Sequence, residues 1–494
     1  MQIKTNRDEF ENYLRDASNI IGHAEKVFIP ETVKEVSEIL SEANARKIPI
    51  TIAGARTGTV GGAVPFGGYV ISLEKFDKVL DLDKTRKGAR VQAGVLLKDF
   101  QKIVDAERLF YPPDPTEWSC QIGGNIATNA SGARSFKYGS TRNYVQSIKV
   151  ALANGDVFHL RRGEVLSSDG SIEIEVNQGN KIRAKLPTYP QPRVRKNTSG
   201  YFTASEVDAV DLFIGSEGTL GVVLEAELKL LDKPESFFSG IVFFEHEPDL
   251  IACVSEARKR SFDSRASMTV GINATLLEYF DNQSLKFISK KFPEIPSRAN
   301  SALFFEQETN EKTEDYLLQL WYQLLEKYNA LLEDSWFTTS EQDREKMRNF
   351  RHALPIAVNE TIARYNQRKI GTDMAVPDEN FQCLLKFYKS KLEESNLDYV
   401  IFGHIGDSHL HVNLLPKNDD EAVKARHLYG RFIAQSIMLG GTISAEHGIG
   451  KHKRKYLYVQ MGERYINEMV ALKRSFDPNY ILGRGNLFEP RFLD

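Results

Sequence analysis

Six of the ten histidines in this chain, His404, His409, His411, His427, His447 and His452, fall between positions 404 and 452. The run FGHIGDSHLHVN (402–413) sets His404 and His411 around a Gly-Asp-Ser turn, and TISAEHGIG (442–450) places Glu446 beside His447. Neutral imidazoles with one carboxylate are what a catalytic divalent cation needs when it must keep coordination positions open for a substrate. The same side chains suit a general base. On a strand, His409 would share a face with His411, either as a spare ligand or as a partner that orients one. His352, His427 and His452 read as structural histidines.

A second chemistry is written in glycine. Residues 54–68 hold six glycines in fifteen positions (AGARTGTVGGAVPFGG, 53–68), directly after a strand-like run. Such a loop lets backbone N–H groups approach phosphate oxygens and form an anion-binding nest. Neither GxxxxGK[ST] nor a strand-linked GxGxxG is present, which excludes a Walker loop and a dinucleotide fingerprint. The stretch PPDPTEWSCQIGGNIATNASGARSFKYGS (112–140) mixes Gly, Asn, Ser and Thr. Either loop alone could be a set of turns, but the pair favours a phosphate-containing cofactor.

The elements that must position these residues fall into two textures. Over the first 230 residues strands and helices alternate. ETVKEVSEILSEANARK places Val33, Val36, Leu40 and Ala43 on one helical face behind a Thr32/Glu35 capping box. IPITIAG (48–54), GYVISL (68–73), KVLDLD (78–83) and ARVQAGV (89–95) read as strands, and LKDFQKIVDAERL (97–109) as a helix. From about 235 to 440 longer helices such as EDYLLQLWYQLLEKYNALL (314–332) mix with strands like VIFGHI (400–405), which marks a second domain. KIRAKLPTYPQPRVRKN (181–197), with six basic residues, three prolines and no acid, reads as an exposed hairpin or loop. It is expected to dock an acidic electron acceptor or an anionic membrane surface. KHKRK (451–455) reads as a solvated helix start near the site mouth.

Composition narrows the options. A chain of 494 residues divides into two or three domains, and a net charge of −3 gives no argument for nucleic acid as a partner. Three cysteines, Cys120, Cys253 and Cys383, lie too far apart for CxxC or iron–sulfur ligation, and a reducing compartment is the simple inference. The charged N-terminal run and the lack of a long apolar stretch predict a cytoplasmic protein, with peripheral contact at the inner face of a membrane left open.

Taken in order, ITIAGARTG (50–58), PPDPT (112–116), IGGNIATNASGARSFKYGS (122–140), DLFIGSEGTLGVV (211–223), FGHIGDSHLHVN, GGTISAEHGIG (440–450) and FDPNYILGRGN (476–486) resemble the FAD-dependent D-2-hydroxy-acid dehydrogenases, the family of D-lactate, glycolate and D-2-hydroxyglutarate dehydrogenases. The resemblance implies an α+β fold. Residues 1–232 would form a two-part FAD-binding domain of the vanillyl-alcohol-oxidase (PCMH) type. Residues 233–440 would form a substrate or cap domain, built on an antiparallel sheet with flanking helices and carrying the metal-site hairpin. Residues 441–494 would return to the FAD domain.

It further implies that Ala53, Gly54, Ala55, Arg56, Thr57, Gly58 and Thr59 hold the FAD pyrophosphate. Pro113, Ser119, Gly123, Gly124, Asn125, Thr128, Asn129 and Gly132 would line the flavin. Glu217, Gly218 and Gly221 would form the adenine-side wall, and Asn486 joins the cofactor set. His404, His411 and Glu446 would hold a divalent metal, zinc or a manganese- or iron-like ion. His447 would be the catalytic base, with Arg351 and Asn413 contacting substrate. Arg56 stands in the loop where some relatives carry a tethering histidine, so the FAD is expected to be noncovalent. Pro355 and Gly371 replace residues that clasp a second carboxylate in dicarboxylate-specific relatives, and Lys369 is the nearest substitute. The expected reaction is oxidation of a small, D-lactate-like D-2-hydroxy acid to the 2-oxo acid. Electrons would pass to an external acceptor: a quinone, a cytochrome or an electron-transfer flavoprotein. A D-2-hydroxyglutarate or glycolate dehydrogenase, a flavin-binding subunit active only within a larger complex and a metal-dependent hydrolase are the alternatives. A homodimer is left open.

Overall fold

The computed structural model describes residues 1–176 and 179–493. Strands Lys26–Ile29, Tyr69–Ser72 and Ile50–Ala53 run parallel, with Gln2–Lys4 antiparallel at one edge. Parallel strands need a crossover, and helix Val33–Ala45 provides it. Val36, Ile39, Leu40 and Ala43 form its buried stripe, and Thr32 with Glu35 closes the capping box. Strand Ile50–Ala53 therefore ends at the first glycine loop.

A five-stranded antiparallel sheet follows, in the order Val79–Asp83, Gly88–Gln92, Val222–Lys229, Val145–Ala151, Val157–Arg161. Helix Ile122–Thr128 packs against it: the Gly123 N–H donates to the Ala93 carbonyl at 2.7 Å, an approach that a Cβ on Gly123 would block at 2.6 Å from the Ala93 Cβ. The side chain of Gln121 stands 3.0 Å from where a Cβ on Gly54 would lie, so the two glycine-rich stretches lie side by side.

The third sheet has seven antiparallel strands, in the order Trp336–Thr338, Ser236–Phe244, Ser301–Thr309, Ala274–Asp281, Tyr399–Gly403, His411–Leu414, Ile370–Gly371. Its central strands are buried along almost their whole length, so they show no alternation of buried and exposed positions. Helix Glu341–Arg364 crosses this sheet with Phe350 against Phe280, Phe292 and Trp336, at ring-centroid distances of 5.2, 5.1 and 5.6 Å. That packing fixes the next residue, Arg351, over the sheet. The last helix, Arg454–Phe476, leads back to the first sheet, where Leu482 bridges Ile50. Lys473, fully buried, donates to the carbonyls of Thr219 and Leu482 and pairs with Asp477 at 2.7 Å.

Candidate active site

The pairing Phe402↔His411 puts His404, one residue beyond the end of its strand, beside His411. Gly403 makes this possible: with φ at +118°, it leaves room for the His411 ring, whose Cδ2 would lie 2.9 Å from any Cβ there. His404 Nε2 and His411 Nε2 converge on one oxygen of Glu446, Oε1, at 3.1 and 3.2 Å. The other nitrogens are held from behind. His404 Nδ1 lies 2.6 Å from Glu278 Oε1, and His411 Nδ1 lies 3.2 Å from the Thr372 carbonyl. These backing acceptors turn both Nε2 atoms toward the same point, the support that metal-ligating histidines require.

The second oxygen of Glu446 accepts from Ser131 Oγ and Lys196 Nζ, each at 2.9 Å. Burial alone would raise the Glu446 carboxyl, yet Lys196 and His404 hold it well below the ordinary range. Burial lowers His404, and the stronger pull of Glu278 lifts it to about 9. A point between these groups thus favours positive charge, and the two imidazoles and one carboxylate fit a divalent cation.

His447 stacks on His411, with centroids 5.3 Å apart and planes 13° from parallel. Its Nδ1 lies 3.6 Å from Asp373 Oδ2 and its Nε2 3.9 Å from Glu446 Oε1. Desolvation holds the ring down to about 4 against the charge of Asp373. It is neutral at physiological pH and able to accept a proton. Asp373, wholly buried, anchors the loop. It accepts the amides of Glu446 and His447 at 3.2 and 3.0 Å, the Ser444 hydroxyl at 2.8 Å and Lys453 Nζ at 2.6 Å.

Arg351 donates from Nε to Glu278 Oε2 at 2.9 Å, so one buried carboxylate orients both His404 and the arginine. Burial would raise Glu278, but His404 and Arg351 keep it strongly acidic. Beside them opens a cavity lined by Thr116, Glu278, Arg351, His352, Pro355, Phe402, Gly403, His404 and His411. His352 is therefore a wall of the site, edge-on to Trp118 at 5.1 Å, rather than a purely structural residue. Burial and the neighbouring arginines bring it to about 4, so that wall carries no charge at neutral pH. Asn413 follows His411 on the same strand face, and its Oδ1 would lie 2.7 Å from a Cβ on Gly371, which reserves that space for the amide. Lys369 is not among the lining residues.

The cofactor candidates form a cradle. The loop from Ala53 to Thr59 curls back through Arg56, whose NH1 donates to the Gly54 carbonyl at 3.1 Å. Gly58 and Gly124 face open space. Gln121 Oε1 and Asn125 Nδ2 are buried with no hydrogen-bond partner among the described residues. A cradle floored by bare glycine and fringed by orphaned amide groups fits a flat, phosphate-bearing cofactor such as FAD. Asn486 Nδ2 donates to the Gly62 carbonyl at 3.0 Å and Asn129 caps helix Ile122–Thr128, which joins both to the cradle. Thr128 Oγ1 turns back to the Gly124 carbonyl at 2.9 Å, and the Gly132 carbonyl accepts Lys196 at 2.9 Å. Gly218 lies against Ile52. Three further candidates have partners within the chain. Ser119 Oγ bonds Glu117 at 2.6 Å, and Gly221 packs under Val150, whose Cγ1 would meet a Cβ at 2.6 Å. Glu217 accepts the amides of Ile449 and Gly450 at 2.6 and 2.7 Å, tying the His447 loop to the cradle. Pro113 is buried, and its carbonyl accepts Gln101 at 3.1 Å.

The run 181–196 begins as the exposed strand of a hairpin with Ser171–Glu175, where Lys181 and Arg183 pair with Glu173; further on Arg193 pairs with Glu379 and Arg195 with Asp378, while Lys196 turns inward and is buried at Glu446. One expectation fails: KHKRK is not solvated throughout, because Lys451 and Lys453 are buried on Asn486 and Asp373. A count of charges cannot see which side chains turn inward. The sequence reading also passed over Glu278, whose signal is a lone acid between the apolar Leu276 and Phe280 on a buried strand.

The chain matches the family models for an FAD binding domain over residues 24–161 and for the C-terminal domain of FAD linked oxidases over residues 256–487. It is 31% identical to a D-lactate dehydrogenase of Anaerostipes hadrus, covering 97% of this chain and 92% of that one. It is 30% identical to the glycolate oxidase subunit GlcD of Bacillus subtilis, covering 94% and 88%. A D-2-hydroxyglutarate dehydrogenase of Xanthomonas citri is 30% identical, covering 99% and 94%. Among solved structures, p-cresol methylhydroxylase with substrate bound superposes with a TM-score of 0.71 at 16% identity, over 99% of this chain and 94% of that one. An alkyldihydroxyacetonephosphate synthase gives 0.67 at 17%, over 98% and 82%. These structures share the fold. The chain belongs to the FAD-dependent D-2-hydroxy-acid dehydrogenase family and has its vanillyl-alcohol-oxidase-type α+β fold.

Proposed function

We propose that this chain oxidises a small D-2-hydroxy acid, D-lactate-like in size, to the 2-oxo acid. The observation that carries the reading is the convergence of His404 Nε2 and His411 Nε2 on Glu446 Oε1 beside a cavity walled by Arg351. FAD, held noncovalently in the cradle of residues 53–59 and 121–132, supplies a hydride acceptor when bound. A zinc, manganese- or iron-like ion at His404, His411 and Glu446 supplies Lewis-acid polarisation of the substrate hydroxyl.

The chain's own residues do the remainder. Arg351, braced by Glu278, orients the substrate carboxylate through a charge-assisted pair. Neutral His447 receives the hydroxyl proton at a ring nitrogen, and Asp373 steadies the imidazolium that results. Asn413, two residues after His411 on the same strand face, would contact the substrate. Phe402, Pro355, Thr116 and neutral His352 also line the cavity, so a second carboxylate against them would lie unpaired and pay for its lost hydration. Electrons then leave for an external acceptor, a quinone, a cytochrome or an electron-transfer flavoprotein. Among the described residues no helix is long and apolar enough to cross a membrane.

The division at residues 232 and 440 belongs to the same proposal: one part carries the cradle, the next the metal hairpin, and the last ties them together. The test is anaerobic mixing of the yellow protein with D-lactate, glycolate and D-2-hydroxyglutarate. Bleaching fastest with D-lactate supports the reading. No bleaching with any of the three would remove it.

A further inference from the structure

We infer that His409 is a further protein donor to the cation proposed at His404, His411 and Glu446, making a site of three imidazoles and one carboxylate. The inference rests on the metal-dependent reading above and says which residues complete that centre.

His409 is wholly buried, and neither of its ring nitrogens has a hydrogen-bond partner among the described residues. Its Nε2 comes within 3.2 Å of Asp373 Oδ1 but without the alignment of a hydrogen bond. Asp373 is engaged elsewhere, Oδ1 by the Glu446 amide and Oδ2 by the His447 amide, the Ser444 hydroxyl and Lys453. An imidazole has two nitrogens to satisfy, and burying one without a partner is a lasting cost. A cation removes it. One ligand atom each from His404, His409, His411 and Glu446 lie within 4.8 Å of one another. The His409 ring centroid is 4.6 Å from that of His411 and 5.2 Å from that of His404.

The backbone holds the ring there. The His409 amide donates to the His404 carbonyl at 3.2 Å across the turn Ile405–Asp407, Ser408 takes a left-handed φ of 54°, and His409 bridges Ala375 on its other side. A residue that only oriented a ligand would hydrogen-bond that ligand, as Glu278 does His404. His409 bonds none of the three. The chemical consequence is a preference for metals that favour nitrogen donors, zinc among them, over magnesium, calcium or manganese.

The experiment uses the full-length protein loaded with Zn2+ and counts imidazoles by X-ray absorption at the zinc edge, with Zn2+ affinity measured by chelator competition. The wild type should show three imidazoles, His409→Asn two, and His447→Ala three, which separates His409 from the neighbouring ring. His409→Asn should also bind Zn2+ on the order of 10²-fold more weakly. Two imidazoles in the wild type, or an unchanged count in His409→Asn, would overturn the inference while leaving the metal-dependent reading in place. A wild type that takes up no metal would overturn both. Should His409→Asn not fold, the wild type and His447→Ala counts decide alone: three in each supports the inference, and any lower count removes it.

Discussion

Glu446 divides its work between its two oxygens: Oε1 meets the two histidines, and Oε2 is held by Lys196 and Ser131. His447, its neighbour in sequence, stacks on His411 and approaches Asp373 instead. Glu446→Ala should therefore lose metal, since two imidazoles alone make a poor site. His447→Ala should keep metal and FAD but slow flavin reduction by ~10²–10⁴-fold, the usual share of a positioned base. Metal analysis with stopped-flow reduction reads both, and the reverse pattern would exchange the two roles. Lys196 gives a sharper test because nothing in its basic sequence context points to the centre. Lys196→Met frees one oxygen of Glu446 to rotate and should weaken metal binding ~10–100-fold. Unchanged metal affinity would reduce Lys196 to a packing residue.

At the scale of elements, the strand Ala274–Asp281 ends in a carboxylate that joins two others. Asp281 Oδ1 accepts the Ser284 amide and hydroxyl at 2.8 and 2.6 Å and the Ile401 amide at 3.1 Å, capping the next helix and fastening the strand that leads to His404. Burial raises this carboxyl from 3.8 to about 6. The folded chain then binds more protons than the unfolded one between pH 4 and 6, so the stability Asp281 contributes is complete below pH 4 and is lost as pH rises through 6. All three donors reach one oxygen, so Asp281→Asn can keep the bonds and discard the charge. Its unfolding free energy, measured by denaturant titration, should rise more at pH 7.5 than at pH 5, by ~1–3 kcal/mol at the higher pH. Equal shifts at both pH values would contradict this.

The same elements show what a sequence discloses. Helix Val33–Ala45 was legible because its apolar period and capping box are local. Strands Ser236–Phe244 and Ser301–Thr309 were not individually read, since burial on both faces erases the alternation that marks a strand. His404, His411 and Glu446 were found by their types and motifs. Lys196, Glu278 and Asp373 were not, because their roles come from inward turns across 250, 126 and 80 positions of chain to Glu446, His404 and Lys453.

For the whole molecule, the Glu217 carboxylate and Asn486 bind the cofactor cradle to the loop that carries Glu446 and His447. No histidine lies in residues 50–70, and Arg56 occupies the glycine loop. Acid precipitation should accordingly leave the yellow colour in the supernatant, whereas colour retained by the polypeptide would mean a covalent tether. The neutral part of the cavity lining predicts a higher kcat/KM for D-lactate than for D-2-hydroxyglutarate, and the opposite order would place an unrecognised cation, Lys369 first, in the site.

On the proposed mechanism, flavin reduction by a D-2-hydroxy acid depends on the cation that His404, His411 and Glu446 would hold. Anaerobic stopped-flow reduction by D-lactate, before chelator treatment, after it and after metal is restored, tests this most directly. Reduction should fall by at least ~10²-fold on metal removal with FAD retained, and return with the metal. A flavin that bleaches equally fast without the metal would contradict the account.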